Sequence, residues 1–265
     1  MRALSLHHLI ATEISAVDLV RIAGALDCRH VCLFTQDPGG GFGFPIVADP
    51  DLPELRRSMN GEGVTALGIA SFALTPQVDL DAYRPALARG AALGATCANV
   101  RPLDPDSARA TDNFGRFATI AQELGIRVGI EFSGFGASDA LARARAMIAQ
   151  AGIGGIALDA LHAVRTATPL AELIALAPDE ISYVQLCDGP LEATAADYAR
   201  EGAFDRQAPG EGQFPLEAML ALTRPDLPLS LEVPTATLRD AGVDARTRCA
   251  AIVAATRRLL DRVQG

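Results

Sequence analysis

Eight times along 265 residues, a short apolar run gives way to a longer segment with helical spacing. That alternation limits the fold more than any other feature of the chain. The apolar runs read as strands over 3–10, 30–35, 64–71, 95–101, 126–132, 153–159, 181–187 and 227–233. Helix signals fall between them. In "SAVDLVRIAGAL" Ser15 is a candidate N-cap for a face of Val17, Val20, Ile22 and Leu26. In "TPLAELIALAP" Thr168 is a candidate cap, Pro169 suits the first helical position and Pro178 closes the segment. Ser138 opens "SDALARARAMIAQ" in the same way, and the longest helix is expected over 245–263. Eight βα units of about 33 residues suit a single (β/α)8 barrel, an α/β fold of ~250 residues. An open doubly wound sheet would leave strands without a place, and no glycine-rich phosphate fingerprint follows the first strand. No linker or low-complexity tract divides the chain, so residues 1–265 are expected to form one domain.

Two stretches interrupt the repeat: "QDPGGGFGFPIVADPDLP" after strand two, and "GPLEATAADYAREGAFDRQAPGEGQFP" after strand seven. On a barrel both would project from the C-terminal face, where active sites of this architecture lie. Neutral surface insertion is the alternative.

The balance of charge narrows the partners. With a formal net charge of −9 and no basic run, the chain lacks the footprint that phosphate backbones require, so nucleic acid is not expected. The five cysteines are scattered through mostly apolar runs and read as buried reduced thiols. His7 and His8 interrupt any N-terminal apolar stretch, and no run of about 18 apolar residues could span a membrane. A cytoplasmic protein is expected, acting on a small molecule rather than on a membrane.

The last four strands carry the chemistry. "RVGIEF", "GGIALDALH", "SYVQLCDG" and "LPLSLEVP" each place an oxygen-bearing side chain near the C-terminal end: Glu131, Asp159, Gln185 and Glu232. Each alone has a plain explanation as a helix cap, a solvated acid or a buried amide satisfied by backbone. Together, on neighbouring strands and at one expected level, three carboxylates would repel one another unless protonated or neutralised by a cation. A divalent ion is the simpler solution.

This pattern resembles the xylose-isomerase-like TIM barrels, the sugar (phosphate) isomerase/epimerase superfamily, over essentially the whole chain. The resemblance implies that Glu131, Asp159, Gln185 and Glu232 bind one divalent ion. "DALH" is similar to the family's Asp-x-x-His and makes His162 the substrate-facing histidine. "DRQAPGEG" resembles its Arg-x-x-Pro-Gly-x-Gly segment and places Arg206 at the substrate. Glutamine at 185, where most relatives have histidine, brings hydroxypyruvate isomerase nearest in motif. An all-oxygen ligand set favours Mn²⁺ or Mg²⁺ over Zn²⁺, and the resemblance admits Co²⁺. "EFSGFGA" departs from the family after strand five, which leaves the substrate open. Relatives are commonly homodimers or homotetramers.

Such a site suits chemistry at a carbon next to a carbonyl. The ion would chelate the carbonyl and a neighbouring hydroxyl and hold the enediolate that forms. By resemblance Glu131 and Glu232 are the two proton carriers, in either order, and His162 bonds a substrate oxygen. Arg206 either grips a carboxylate or hydroxyl or makes a surface salt bridge. His7 or His8 can point into the mouth but not both. Arg101, ending strand four, is a further substrate-binding candidate. Isomerisation or epimerisation of a small sugar or hydroxy-keto acid is the leading expectation, and a metal-dependent dehydratase sharing the same base is the alternative. A non-catalytic ligand-binding barrel would tolerate Glu131→Gln or Glu232→Gln. The trinuclear zinc endonucleases are excluded, because histidines at 7, 8, 30 and 162 are too few.

Overall fold

In the computed structural model, which describes residues 2–39 and 43–264, eight strands close in chain order into one parallel barrel. They are β1 (Leu4–His7), β2 (His30–Phe34), β3 (Thr65–Leu74), β4 (Cys97–Pro102), β5 (Arg127–Glu131), β6 (Gly155–Asp159), β7 (Ile181–Leu186) and β8 (Leu229–Leu231). β8 pairs with β1 through Leu4 and Leu229, which removes both sheet edges. The fold is a single (β/α)8 barrel, as the eightfold alternation implies.

Alternation along each strand separates two cores. Outward side chains such as Leu6, Val31, Ile130, Leu158 and Leu231 pack against the helices in one large cluster. Inward residues, including Cys32, Phe34, Cys97, Ala157 and Tyr183, form a smaller cluster inside the barrel. Space there is tight: a Cβ on Gly129 would lie 2.5 Å from Ser182 Oγ, so β5 carries glycine below Glu131. The Tyr183 hydroxyl bonds Ser230 Oγ at 2.9 Å and satisfies the one phenol in this layer.

Local signals hold in part. Ser15 caps Ala16–Ala25, its Oγ accepting from the Asp18 amide at 3.1 Å. The last helix runs Ala245–Gln264 and is the longest. Three expectations are corrected. β1 stops at His7, because His8–Ala11 turns into a 3₁₀ helix whose first free amide is taken by His7 Nδ1. Ser138 is not a cap; Asp139 occupies that position, without a side-chain bond. Thr168 is tied to Thr166 Oγ1 at 2.7 Å, so the helix Leu170–Ile174 starts from Pro169 uncapped, and Pro178 opens a 3₁₀ turn instead of ending that helix.

The loop after β2 returns to the barrel through Val47, whose amide donates to Phe34 O at 2.8 Å; its residues 40–42 lie outside the described part. The stretch after β7 contains a helix, Ala195–Ala203. Thr194 and Asp197 form its capping box, Thr194 Oγ1 accepting from the Asp197 amide and Asp197 Oδ2 from the Thr194 amide. Among the described residues no helix is long and apolar enough to cross a membrane.

Candidate active site

The C-terminal mouth of the barrel holds a cavity of about 290 Å³. Glu131, Glu232, His162, Arg206, His7 and Arg101 all line it. Asp159 and Gln185 do not; both are fully buried beneath it. A larger cleft of about 440 Å³ lies outside, between Ser107–Glu123 and Ala140–Ala151, and touches only Glu131 of this set. It lacks Glu232, His162, Arg206, His7 and Arg101, which converge on the smaller cavity, so the smaller cavity is the site of interest.

The four strand-end residues are not level in register. Asp159 pairs with Gln185, but Glu131 pairs with Ala157, and Gln185 pairs with Ser230 two residues before Glu232. Closed barrels shear neighbouring strands past one another, and strand tilt converts that stagger into a shared mouth. Parity is what matters: each residue lies an even number of positions along the inward face.

Asp159 answers to both readings of a strand-end acid. Its Oδ1 accepts from the His162 amide at 3.2 Å and caps Ala160–Arg165, while its Oδ2 accepts from Arg206 Nη1 at 3.1 Å. Burial alone would raise this carboxyl, yet the Arg206 and His162 charges bring it down to about 2. Burial holds Glu232 well above the usual carboxylate range, against the pull of Arg206. Glu131, where burial also acts upward, ends below that range through its contact with His162, Nε2 to Oε1 at 3.3 Å. Asn99 Nδ2 donates to Glu131 Oε2, and Gln185 Nε2 donates to Glu232 Oε2.

Arg206 is buried, which excludes the surface salt bridge. It also has little left for a substrate. Its Nε donates to Glu201 O at 2.9 Å, Nη2 to Gly202 O at 3.3 Å, and Nη1 to Asp159 Oδ2 and Glu232 O. Nη1 further lies 3.4 Å from Glu232 Oε2, so the guanidinium sits between Asp159 and Glu232. Of the two N-terminal histidines, His7 faces inward, its Nε2 3.6 Å from Glu232 Oε1, and burial followed by the Arg206 charge lowers it to about 3. His8 turns the other way, its Nε2 3.1 Å from Ile14 O.

The donor types can be tested against a divalent ion. Gln185 Oε1 is buried and has no hydrogen-bond partner, as expected of a ligand oxygen whose amide nitrogen is engaged elsewhere. With the Glu131, Asp159 and Glu232 carboxylates it makes a hard, all-oxygen set suited to Mn²⁺ or Mg²⁺. In the packed arrangement, however, no group of three or more His, Cys, Asp or Glu side chains among the described residues is disposed to hold an ion. Arg206 does the neutralising instead. The residues fit by chemistry, and binding would require the Arg206 and Gln185 contacts to Glu232 to rearrange.

Two residues escaped the sequence reading. Asn99 is a polar side chain within a mostly apolar run, the same signal that singled out Gln185, and its Oδ1 is buried without a partner. Tyr198 reaches the cavity from the inserted helix and bonds His162 Nδ1 at 2.8 Å. Its hydroxyl also accepts from the Gly134 amide at 3.3 Å, so it ties His162 to the loop after β5. His162 Nε2 in turn faces Glu131 Oε1 at 3.3 Å. The capping box at Thr194 was the available clue.

The family model described as xylose isomerase-like TIM barrel matches residues 20–254. Solved structures share the fold. A xylose isomerase domain protein from Alicyclobacillus acidocaldarius is 18% identical with a TM-score of 0.75, covering 99% of both chains. IolI, described with a binding zinc atom, is 17% identical with a TM-score of 0.75, over 99% of this chain and 98% of its own. D-allulose 3-epimerase from Methylomonas sp., in complex with D-allulose, is 14% identical with a TM-score of 0.69, over 98% and 97%. No curated protein sequence matches the chain.

Proposed function

The chain belongs to the xylose isomerase-like TIM barrel family, and on that premise we propose that it is a metal-dependent isomerase or epimerase of a small hydroxy-carbonyl compound. One observation carries the reading: Glu131 and Glu232 both line one small cavity, directly above the buried pair Asp159 and Gln185. These four would hold the ion. When bound, the ion polarises the substrate carbonyl and makes the adjacent C–H more acidic.

The protein's own residues do the rest. Glu131 at the end of β5 and Glu232 just after β8 approach the cavity from different sides, so one removes the proton and the other returns it. Return to the same carbon on its opposite face gives epimerisation, and return to the neighbouring carbon gives isomerisation. His162 Nε2–H, aligned through Tyr198, donates to Glu131 or to a substrate oxygen. Phe34, Phe44 and Leu9 border the cavity and keep water from much of its wall. The epimerase neighbours agree with this reading at the level of fold.

The test is metal content after Mn²⁺ loading, for wild type beside Asp159→Ala, followed by solvent-deuterium exchange into hydroxy-ketones and hydroxy-acids. About one ion per chain, lost in the variant, with exchange reduced about 10²- to 10⁴-fold by Glu131→Gln, supports the proposal. Wild type that holds no ion, or Glu131→Gln that exchanges normally, sinks it.

A further inference from the structure

Two arginines line the cavity, and only one of them has donors to offer. Arg206 is committed to Asp159, Glu232 and two backbone carbonyls. Arg101, at the end of β4, is held by neutral groups: its Nε donates to Ser71 Oγ at 3.1 Å and its Nη2 to Pro38 O at 2.8 Å. Among the described residues it forms no ion pair, and its Nη1 makes no hydrogen bond. A guanidinium aligned by a hydroxyl and a carbonyl, with one side open, is prepared for an anion.

Its neighbours extend the match. The Ser71 hydroxyl accepts from Arg101, so its own proton remains for an incoming oxygen. Asn99 lies two residues before Arg101, on the same face of β4. Its amide nitrogen is bonded to Glu131, and its buried Oδ1 has no partner. That oxygen can only accept, and a substrate hydroxyl is the donor that fits beside Glu131. From the reactive acids toward the rim, the β4 side therefore presents a hydroxyl acceptor and then a cation.

We propose that Arg101 and Ser71 form an anion subsite, and that the substrate is a small hydroxy-carbonyl acid of about three to six carbons with its carboxylate on Arg101. This rests on the isomerase reading for the hydroxy-carbonyl part, but the subsite itself needs no turnover. One guanidinium with one open side matches a singly charged carboxylate better than a phosphate dianion.

The experiment is ligand-observed NMR of the full chain with DL-glycerate and with its neutral amide, glyceramide. Wild type should prefer the acid by about tenfold, the value of one charge-assisted hydrogen-bonded contact. Arg101→Met should reduce the preference to about twofold or less without weakening amide binding, and Arg101→Lys should keep part of it. Ser71→Ala, which leaves the arginine in place, should cost about threefold in acid binding. The inference is overturned if the preference survives Arg101→Met, as it would were a metal ion its source. It is equally overturned if wild type treats acid and amide alike or binds neither, or if inorganic phosphate outcompetes glycerate. Absence of deuterium exchange would overturn the isomerase reading and leave this binding comparison intact.

Discussion

The two halves of the barrel mouth are built on opposite plans. At the ends of β5–β8, Asp159, Gln185 and Glu232 are joined through Arg206 and one another in a buried network, and Glu131 is held beside it by His162 and by Asn99 of β4. Strands β1–β4 contribute His7, Ser71, Asn99 and Arg101, whose polar atoms are partly unpaired. Groups that must hold a fixed geometry are braced by charge, while groups that meet a variable ligand keep donors and acceptors in reserve. Under the proposed function, the difference would separate proton transfer in one half from recognition in the other.

Removing the charge that braces the acidic half gives the largest expected effect. Arg206→Met leaves Asp159 buried without its cation and should destabilise the fold by about 3–5 kcal/mol, read from the urea midpoint. The matching change in the other half, Arg101→Met, breaks no ion pair and should cost under about 1 kcal/mol. Equal losses in the two variants would erase the distinction.

Asp188 sharpens the comparison from behind the acidic half. Its carboxylate accepts from the amides of Gly189, Gly210 and Phe214, each at 2.9 Å, and so anchors the Pro-Gly-Glu-Gly turn that follows Arg206. Asp188→Ala should cost about 1–3 kcal/mol. It should change Mn²⁺ binding more than glycerate binding, if Arg206 serves the acids alone.

The smallest effect belongs to His8. Burial lowers it from 6.5 to about 4, so the folded chain keeps it neutral where the unfolded chain is protonated. Its folded value is the lower one, so its stabilising effect is complete above pH 6.5 and declines as pH falls toward 4. His8→Gln should flatten the slope of urea midpoint against pH in that window and leave the midpoint at pH 8 little changed.

Much of this was legible one residue at a time. Gln185 drew notice because an amide in an apolar strand needs a partner, and it has one in Glu232. Asn99 carried the same signal in a strand interrupted by only one other polar residue. The capping box Thr194–Asp197 is local chemistry and could have placed Tyr198 on a helix. Ser138 and Thr168 misled because a hydroxyl near a helix start has other partners available, and Thr168 took Thr166. The engagement of Arg206 had no local sign. Its acid partners, Glu232 and Asp159, are 26 and 47 residues away in the chain.

What the sequence determined by itself is the barrel, because eight apolar runs separated by amphipathic helices have no other way to bury every strand. It also determined that Glu131, Asp159, Gln185 and Glu232 share the inward parity of their strands, since alternation is a property of the backbone. Only the tertiary structure decided which arginine is free. Arg101 and Arg206 are the same side chain in sequence; one ends beside a hydroxyl and a carbonyl, the other between two buried acids. Charge pairing acts through space over a few ångströms, and the chain's closure, not its local order, sets those distances.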